Sequence, residues 1–216
     1  MSVAAKRFVR RNRRGKMMTV AREHYLRDDL PIIDPETHSR PASGRWLVLD
    51  TNVPLHQMDV LEHKAITHCI ILQTVLEETK HQDLGLYKRL RACINNVEKS
   101  FVVFSNEHHR ETFVERQPRE SPNDRNDRAI RTAAAFYTTM MEPAGLKVLM
   151  VTNDVDNREH AAKAGLESLS IHKVVESYDG FPDLRKRQAR PTHTPTHGRV
   201  AGWQSFAGGR SADRGN

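Results

Sequence analysis

Four short apolar runs interrupt an otherwise polar chain: Trp46-Leu47-Val48-Leu49, Cys69-Ile70-Ile71-Leu72, Phe101-Val102-Val103-Phe104 and Val148-Leu149-Met150-Val151. A fifth, weaker run is Leu169-Ser170-Ile171. Each has the length of a strand. Continuous apolar character without polar alternation predicts strands buried on both faces, as in the middle of a parallel sheet. Between these runs the period becomes that of a helix. Val75 to Lys80 followed by Leu84 to Val97 puts Leu86, Leu90, Cys93 and Val97 on one face, and Arg125 to Met141 does so with Ile130, Ala133, Ala134, Tyr137 and Met141. Strands alternating with helices predict an α/β fold of right-handed βαβ units, with a parallel sheet of about five strands.

The two ends of the chain lack this pattern. Residues 1–45 are basic, then polar, with Pro31, Pro35 and Pro41 and no apolar period, and read as an arm and linker. Residues 181–216 are rich in Arg, Pro, Gly, Thr and Ser with few aliphatics, which predicts a tail that is disordered or folds only on a partner. The regular pattern occupies 46–180, and no internal repeat is visible.

Charge sharpens this division. The 216 residues carry 34 Lys plus Arg and 27 Asp plus Glu, a formal net charge of +7. Residues 1–16 alone hold seven basic side chains and no acid, and 181–216 hold seven basic and two acidic, leaving 20 basic and 25 acidic in between. An acidic body between two basic arms excludes a uniformly basic nucleic-acid binder. RNA, an import receptor or an assembly partner would be attracted to the arms. No apolar run approaches the roughly 18 residues needed to cross a bilayer, so no membrane span or secretory signal is expected, and the protein is expected inside a cell. Cys69 and Cys93 are too few and too distant for a zinc knuckle or a disulfide framework and read as buried thiols of a reducing compartment.

The candidate chemistry is carboxylate chemistry. In open α/β sheets the functional crevice lies beyond the carboxyl ends of the strands. Asp50 ends the first run and Asp154 follows the fourth, so both acids are expected at the same sheet edge. Glu77 and Glu78 lie in the helix after the second run, and Asp124 and Asp127 open the helix beginning near Arg125. Acids gathered in one place repel, and a hard divalent cation bound through oxygen relieves that repulsion. Taken singly, the same residues also suit plainer roles: Asp124 and Asp127 have the spacing of helix caps, Asp156 that of another cap, and Glu77 and Glu78 suit a solvated face. Convergence at one sheet edge is what favours a metal site.

These residues carry a resemblance. Leu49-Asp50-Thr51-Asn52, Leu76-Glu77-Glu78, the run from Asn123 to Ile130 (Asn-Asp-Arg-Asn-Asp-Arg-Ala-Ile) and Val151-Thr152-Asn153-Asp154 resemble the four acidic motifs of PIN-domain nucleases. With Arg22-Glu23-His24-Tyr25-Leu26-Arg27-Asp28-Asp29 and the run from Asn106 to Glu115, the chain from about residue 6 to 178 is similar to the N-terminal PIN domain of the eukaryotic exosome's RNase II-type catalytic ribonuclease. That family commonly has three cysteines between the Leu-Arg-Asp-Asp string and the Leu-Asp-Thr-Asn strand, and Leu30 to Arg45 have none. Family proteins also continue into cold-shock, RNase II-type and S1 domains where this sequence stops at Asn216, so a fragment and a free-standing PIN protein are both open readings.

The resemblance implies a PIN-like three-layer α/β/α fold and an endoribonuclease that cuts single-stranded RNA with divalent metal, a pair of Mn²⁺ or Mg²⁺ ions, leaving a 5′ phosphate and a 3′ hydroxyl. Asp50, Glu78, Asp127 and Asp154 would be catalytic acids and metal ligands. Asn52, Thr152 and Asp124 would orient them, and Arg125, Arg128 and Arg131 would contact RNA phosphates, with Lys88, Arg89 and Arg91 as further candidates. Exosome core subunits would be partners in RNA and rRNA processing, and the location nuclear with some cytoplasmic presence. The alternative is a PIN fold used only to dock on the exosome or another RNA-processing assembly. Among the 12 histidines, the pair His108-His109 reads as structural or exosome-contacting rather than metal-binding. Aromatic platforms for RNA bases are sparse, with only Phe8 and Tyr25 near the basic arm and Trp203 and Phe206 near the tail.

Overall fold

The computed structural model describes residues 2–178 and 180–188, without the side chains of 2–8, 21–24 and 188. Its centre is a five-stranded parallel sheet with helices packed on it in a three-layer α/β/α arrangement. In chain order, β1 (Ser2–Arg11) and β2 (Met17–Leu26) precede β3 (Arg45–Leu49), α1 (Asn52–His56), α2 (Met58–Leu61), β4 (Cys69–Leu72), α3 (Gln73–Gln82) and α4 (Leu84–Asn95). There follow β5 (Val102–Phe104), α5 (Pro122–Met141), β6 (Lys147–Val151), α6 (Val155–Lys163), β7 (Ser168–Leu169), α7 (Ile171–Glu176) and α8 (Pro182–Gln188).

The first four apolar runs contain strands, and the sheet order is β5-β4-β3-β6-β7. Of the fifth run only Leu169 is in a strand, because β7 is Ser168–Leu169 while Ser170 caps α7 and Ile171 begins it. The central runs meet the expectation of two-sided burial: Trp46 to Leu49, Cys69 to Leu72 and Val148 to Val151 are all buried. The β5 run differs. Val102 and Val103 are half-buried because β5 lies at the sheet edge and pairs with β4 alone. β3 pairs with β4 on one side and β6 on the other, so the direction of winding reverses between β3 and β6. This switch point is where a parallel sheet opens a crevice beyond its carboxyl edge.

The helical faces hold with two adjustments. Ile130, Ala133, Ala134, Tyr137 and Met141 of α5 are buried, as are Leu86, Leu90 and Cys93 of α4. Val97 leaves that face: α4 stops at Asn95, Asn96 turns extended and its side chain accepts from the Glu98 amide, leaving Val97 92% exposed. α5 starts three residues before Arg125. Ser121 is its cap, accepting from the Asp124 amide, and Pro122 occupies the first turn, where its missing N–H costs nothing. Neither Asp124 nor Asp127 is therefore the cap that their spacing suggests.

The ends of the chain also differ from a plain arm and tail. β1 and β2 pair antiparallel over ten residues each, closed by the turn Asn12 to Lys16. The tail begins with a helix, α8, seated through the fully buried Leu184 and through Asp183, which accepts from Nε2 of the buried His63 at 2.7 Å. Residues 189–216 lie outside the described part. Cys69 and Cys93 are buried free thiols, burial pushing both pKa values up. His109 is buried and packs at a tilt against the rings of Phe104 and Phe136, a packing role. Among the described residues no helix is long and apolar enough to cross a membrane.

Candidate active site

Asp50 is the first residue beyond β3, and its amide makes the last ladder bond, to the Val151 carbonyl of β6 at 3.0 Å. Thr152 follows β6 directly. The switch point therefore sets Asp50 and the Thr152-Asn153-Asp154 turn side by side at the carboxyl edge. Asp50 is only 3% exposed. A carboxylate so buried needs donors, and four converge on it. Its Oδ1 accepts from the Thr51 amide at 2.6 Å. Its Oδ2 accepts from Asn52 Nδ2 at 2.8 Å, from the Thr152 hydroxyl and from Asn157 Nδ2 at 3.2 Å. Burial still prevails over these bonds, and with the nearby Glu78 charge it raises the Asp50 pKa above the usual carboxylate value.

The other three acids come from helices that begin at this edge. Glu78, on the second turn of α3, accepts from the Thr51 hydroxyl at 2.9 Å and from Asn126 Nδ2 of α5 at 3.2 Å. Asp154 caps α6, its Oδ1 accepting from the Asn157 amide at 3.0 Å. Asp127, on the second turn of α5, is half-buried and accepts from Asn123 at 3.3 Å. Its pKa is pushed up to about 7, first by burial and then by the charges of Asp50, Asp154 and Glu78, against a smaller pull from Arg131. Asp127 thus feels the other three acids, and Asp50 feels Glu78.

The donor set is all oxygen, with no thiol or imidazole among these four, which suits a hard divalent cation such as Mg²⁺ or Mn²⁺. Among the described residues, however, no three His, Cys, Asp or Glu side chains are gathered tightly enough to hold an ion outright. The two observations are compatible. Mg²⁺ keeps several waters and is held through one or two carboxylates with substrate phosphate completing the shell. Asp50 Oδ1, Asp127 Oδ2 and Asp154 Oδ1 each accept one hydrogen bond, and of the three residues Asp154 is the exposed one.

The remaining candidates divide. Asn52 joins Asp50 to the β6 side, donating to Thr152 Oγ1 at 3.0 Å and accepting from the Asn153 amide at 3.1 Å, while Thr152 is fully buried against Asp50. Asp124 stands apart, exposed in the first turn of α5. Glu77 is exposed and accepts from Gln73 at 2.8 Å, and Asp156 is exposed in the first turn of α6, two residues after the Asp154 cap. The arginines are engaged within the chain. Arg125 forms a bidentate pair with Glu107 at 2.6 Å and donates to the Val114 carbonyl, with 14% of its side chain exposed. Arg128 pairs with Glu120 at 2.8 Å and donates to the Glu115 carbonyl at 2.7 Å. Both pin the 105–120 loop to α5 and present no free guanidinium to a substrate. Arg89 is similarly engaged by Asp59 and Glu62. Arg131 alone of the three stays beside the acids, donating to Asn157 Oδ1.

Four residues of the site lay outside the sequence expectation. Asn157 is 2% exposed and joins Asp50, Asp154 and Arg131. Thr51 and Asn126 hold Glu78, and both sit inside the quoted motifs, so position within a motif was the available signal. Arg158 donates to the Thr152 carbonyl at 2.8 Å, and nothing local in the sequence marks it.

Comparison with known proteins agrees with this geometry. The PIN domain profile matches residues 47–172, more than half of the chain. The chain is 41% identical over 210 residues to the human exosome complex exonuclease RRP44, covering 86% of this chain and 22% of that protein. It is 38% identical over 195 residues to the RRP44 homolog A of Arabidopsis thaliana, covering 88% and 21%. It is 34% identical over 195 residues to the exosome complex exonuclease dis3 of Schizosaccharomyces pombe, covering 78% and 20%. It thus spans about a fifth of the length of these relatives. Among solved structures, the T. brucei RRP44 PIN domain is similar with a TM-score of 0.56 and 25% identity, over 62% of this chain and 78% of that one. Profile and fold agree: this chain belongs to the PIN-domain family.

Proposed function

We propose that the chain is a divalent-metal-dependent endoribonuclease that cuts single-stranded RNA internally and leaves a 5′ phosphate and a 3′ hydroxyl. The observation that supports this reading is the placement of Asp50, Glu78, Asp127 and Asp154 about the switch point, where burial first and then the charges of the other three raise the Asp127 carboxyl to about 7. Asp50, Glu78, Asp127 and Asp154 would hold a pair of Mn²⁺ or Mg²⁺ ions, which would supply an activated water and charge stabilisation at the leaving oxygen. The chain's own part is positional. Four donors fix Asp50 in one orientation, Thr51 and Asn126 fix Glu78, and the α6 cap fixes Asp154. In the reaction a water oxygen bonds to phosphorus as the P–O3′ bond breaks. One proton leaves the water and one reaches the 3′ oxygen.

Three relatives carry the exosome in their names, so we extend the reading to exosome core subunits as partners and to a nuclear location with some cytoplasmic presence. A docking module without catalysis is the competing reading, favoured by the loose gathering of the acids. The test is a circular single-stranded RNA, which has no end for an exonuclease. The endonuclease reading predicts that the chain opens the circle in Mn²⁺ and not in EDTA, giving a linear product with a 5′ phosphate. An intact circle together with co-purified exosome ring subunits would instead support docking.

A further inference from the structure

We propose that the tip of the β1–β2 hairpin is an RNA-backbone binding surface, on which Arg10, Arg13, Arg14 and Lys16 take the phosphates of a single-stranded RNA. The inference rests on the endoribonuclease reading for the identity of the polyanion. It adds where substrate affinity comes from, which the acidic site leaves open.

The body carries an excess of five acids, and its cations near the site are engaged: Arg125 by Glu107, Arg128 by Glu120, Arg131 by Asn157 and Arg158 by a carbonyl. At the hairpin tip the reverse holds. Arg10, Arg13, Arg14 and Lys16 are exposed, and among the described residues none of their side chains has an ion pair or hydrogen bond. Sequence keeps it so, with no acid anywhere in residues 1–16.

The tip is a built turn. The Asn12 side chain accepts from the Arg14 amide at 3.0 Å and the Lys16 amide at 2.9 Å, and Gly15 takes the left-handed φ of +80° that the reversal needs. Arg11 donates to the Gly15 carbonyl at 2.9 Å. Cross-strand register then pairs Arg10 with Met18 and Arg11 with Met17, so each face of the ribbon presents one arginine beside one methionine. Met17 and Met18 are 61% and 50% exposed. Around them lies a shallow hollow of about 290 Å³ lined by Arg10, Arg11, Asn12, Arg13, Met18 and Val20. Cations spaced along an apolar floor match a strand of phosphates and sugars. An isolated two-stranded ribbon is marginal in water, and cover by a partner stabilises it.

The test measures binding of a fluorescent 20-nucleotide oligouridylate to the full chain carrying Asp127→Asn, in EDTA, across a potassium chloride series. No cleavage is needed, so a failure of the nuclease reading leaves this measurement interpretable. Replacing Arg10, Arg13, Arg14 and Lys16 together with Gln is expected to weaken binding about 100-fold at low salt and to reduce the slope of log K against log salt by about 3, since each single-strand phosphate contact contributes about 0.7. Arg10→Lys, Arg13→Lys and Arg14→Lys together should keep the slope. Each single Gln substitution should remove about 0.7 of it, which keeps the proposal testable should the fourfold variant fail to fold. An unchanged affinity and slope overturn the proposal. So does loss of binding to polyglutamate, an acidic-protein mimic, with RNA binding intact.

Discussion

Asn157 ties the two strand-end acids together: its Nδ2 donates to Asp50 Oδ2 at 3.2 Å, while its backbone amide is held by Asp154 at 3.0 Å. Both links come from one buried residue on the first turn of α6. Asn157→Ala should therefore loosen Asp50 and release Arg131. Losing a buried donor costs about 1–2 kcal/mol of stability, and losing a residue that orients a metal ligand weakens metal binding about 10- to 100-fold. A Mn²⁺ titration followed by electron paramagnetic resonance reads this, with Asp156→Asn on the same helix as a control. Equal Mn²⁺ affinity for Asn157→Ala and the parent would contradict the assignment.

Asp127 makes stability depend on pH and metal together. Its carboxyl is raised from 3.8 to about 7, so between those values the folded chain keeps a proton that the unfolded chain releases. The contribution favours folding fully below about 4 and is lost as the pH rises through about 7. In EDTA, the parent chain should lose on the order of 2 kcal/mol between pH 5 and pH 8 relative to Asp127→Asn, and Mn²⁺ at pH 8 should restore it. Urea unfolding at the two pH values measures this. Parallel profiles for parent and variant would contradict the raised Asp127 carboxyl.

The Glu107–Arg125 pair should behave as a buried clamp. Its side chains are 12% and 14% exposed, and Glu107 also accepts from Thr74, so the pair fastens the first turn of α5 to the first turn of α3. Glu107→Ala leaves an uncompensated guanidinium and should cost about 3–5 kcal/mol, against less than about 0.5 for the exposed Glu111→Ala. Thermal unfolding compares them. Arg125→Met should lower stability without changing the salt slope of RNA binding. A slope reduced by about 0.7 would restore Arg125 as a phosphate contact.

The sheet was legible in the sequence because its central strands are buried on both faces, so Trp46 to Leu49 and Val148 to Val151 carry an uninterrupted apolar signal. Asp50 and Asp154 were legible for the same reason: they stand where those runs stop. Asn52 and Thr152 were within reach as neighbours of the strand ends. The hairpin was not, because its pairing depends on Gly15 and Asn12 at a turn rather than on an apolar period. Ser121-Pro122 did announce the start of α5, a cap followed by proline at the first helical position, but the acids downstream masked it. The partners of Arg125 and Arg128 lie 18 and 8 residues away, beyond any local pattern. Composition shows the charges, and only tertiary structure shows which are already paired.

The central claim is that four carboxylates at one sheet edge cut RNA, and Asp127→Asn in the circular-RNA assay tests it most directly. This change keeps the shape of the side chain and removes the charge that feels the other three acids. The prediction is that the variant melts at or above the temperature of the parent in metal-free buffer at pH 8 and leaves the circle closed in Mn²⁺ while the parent opens it. Undiminished opening of the circle by the folded variant would contradict the account.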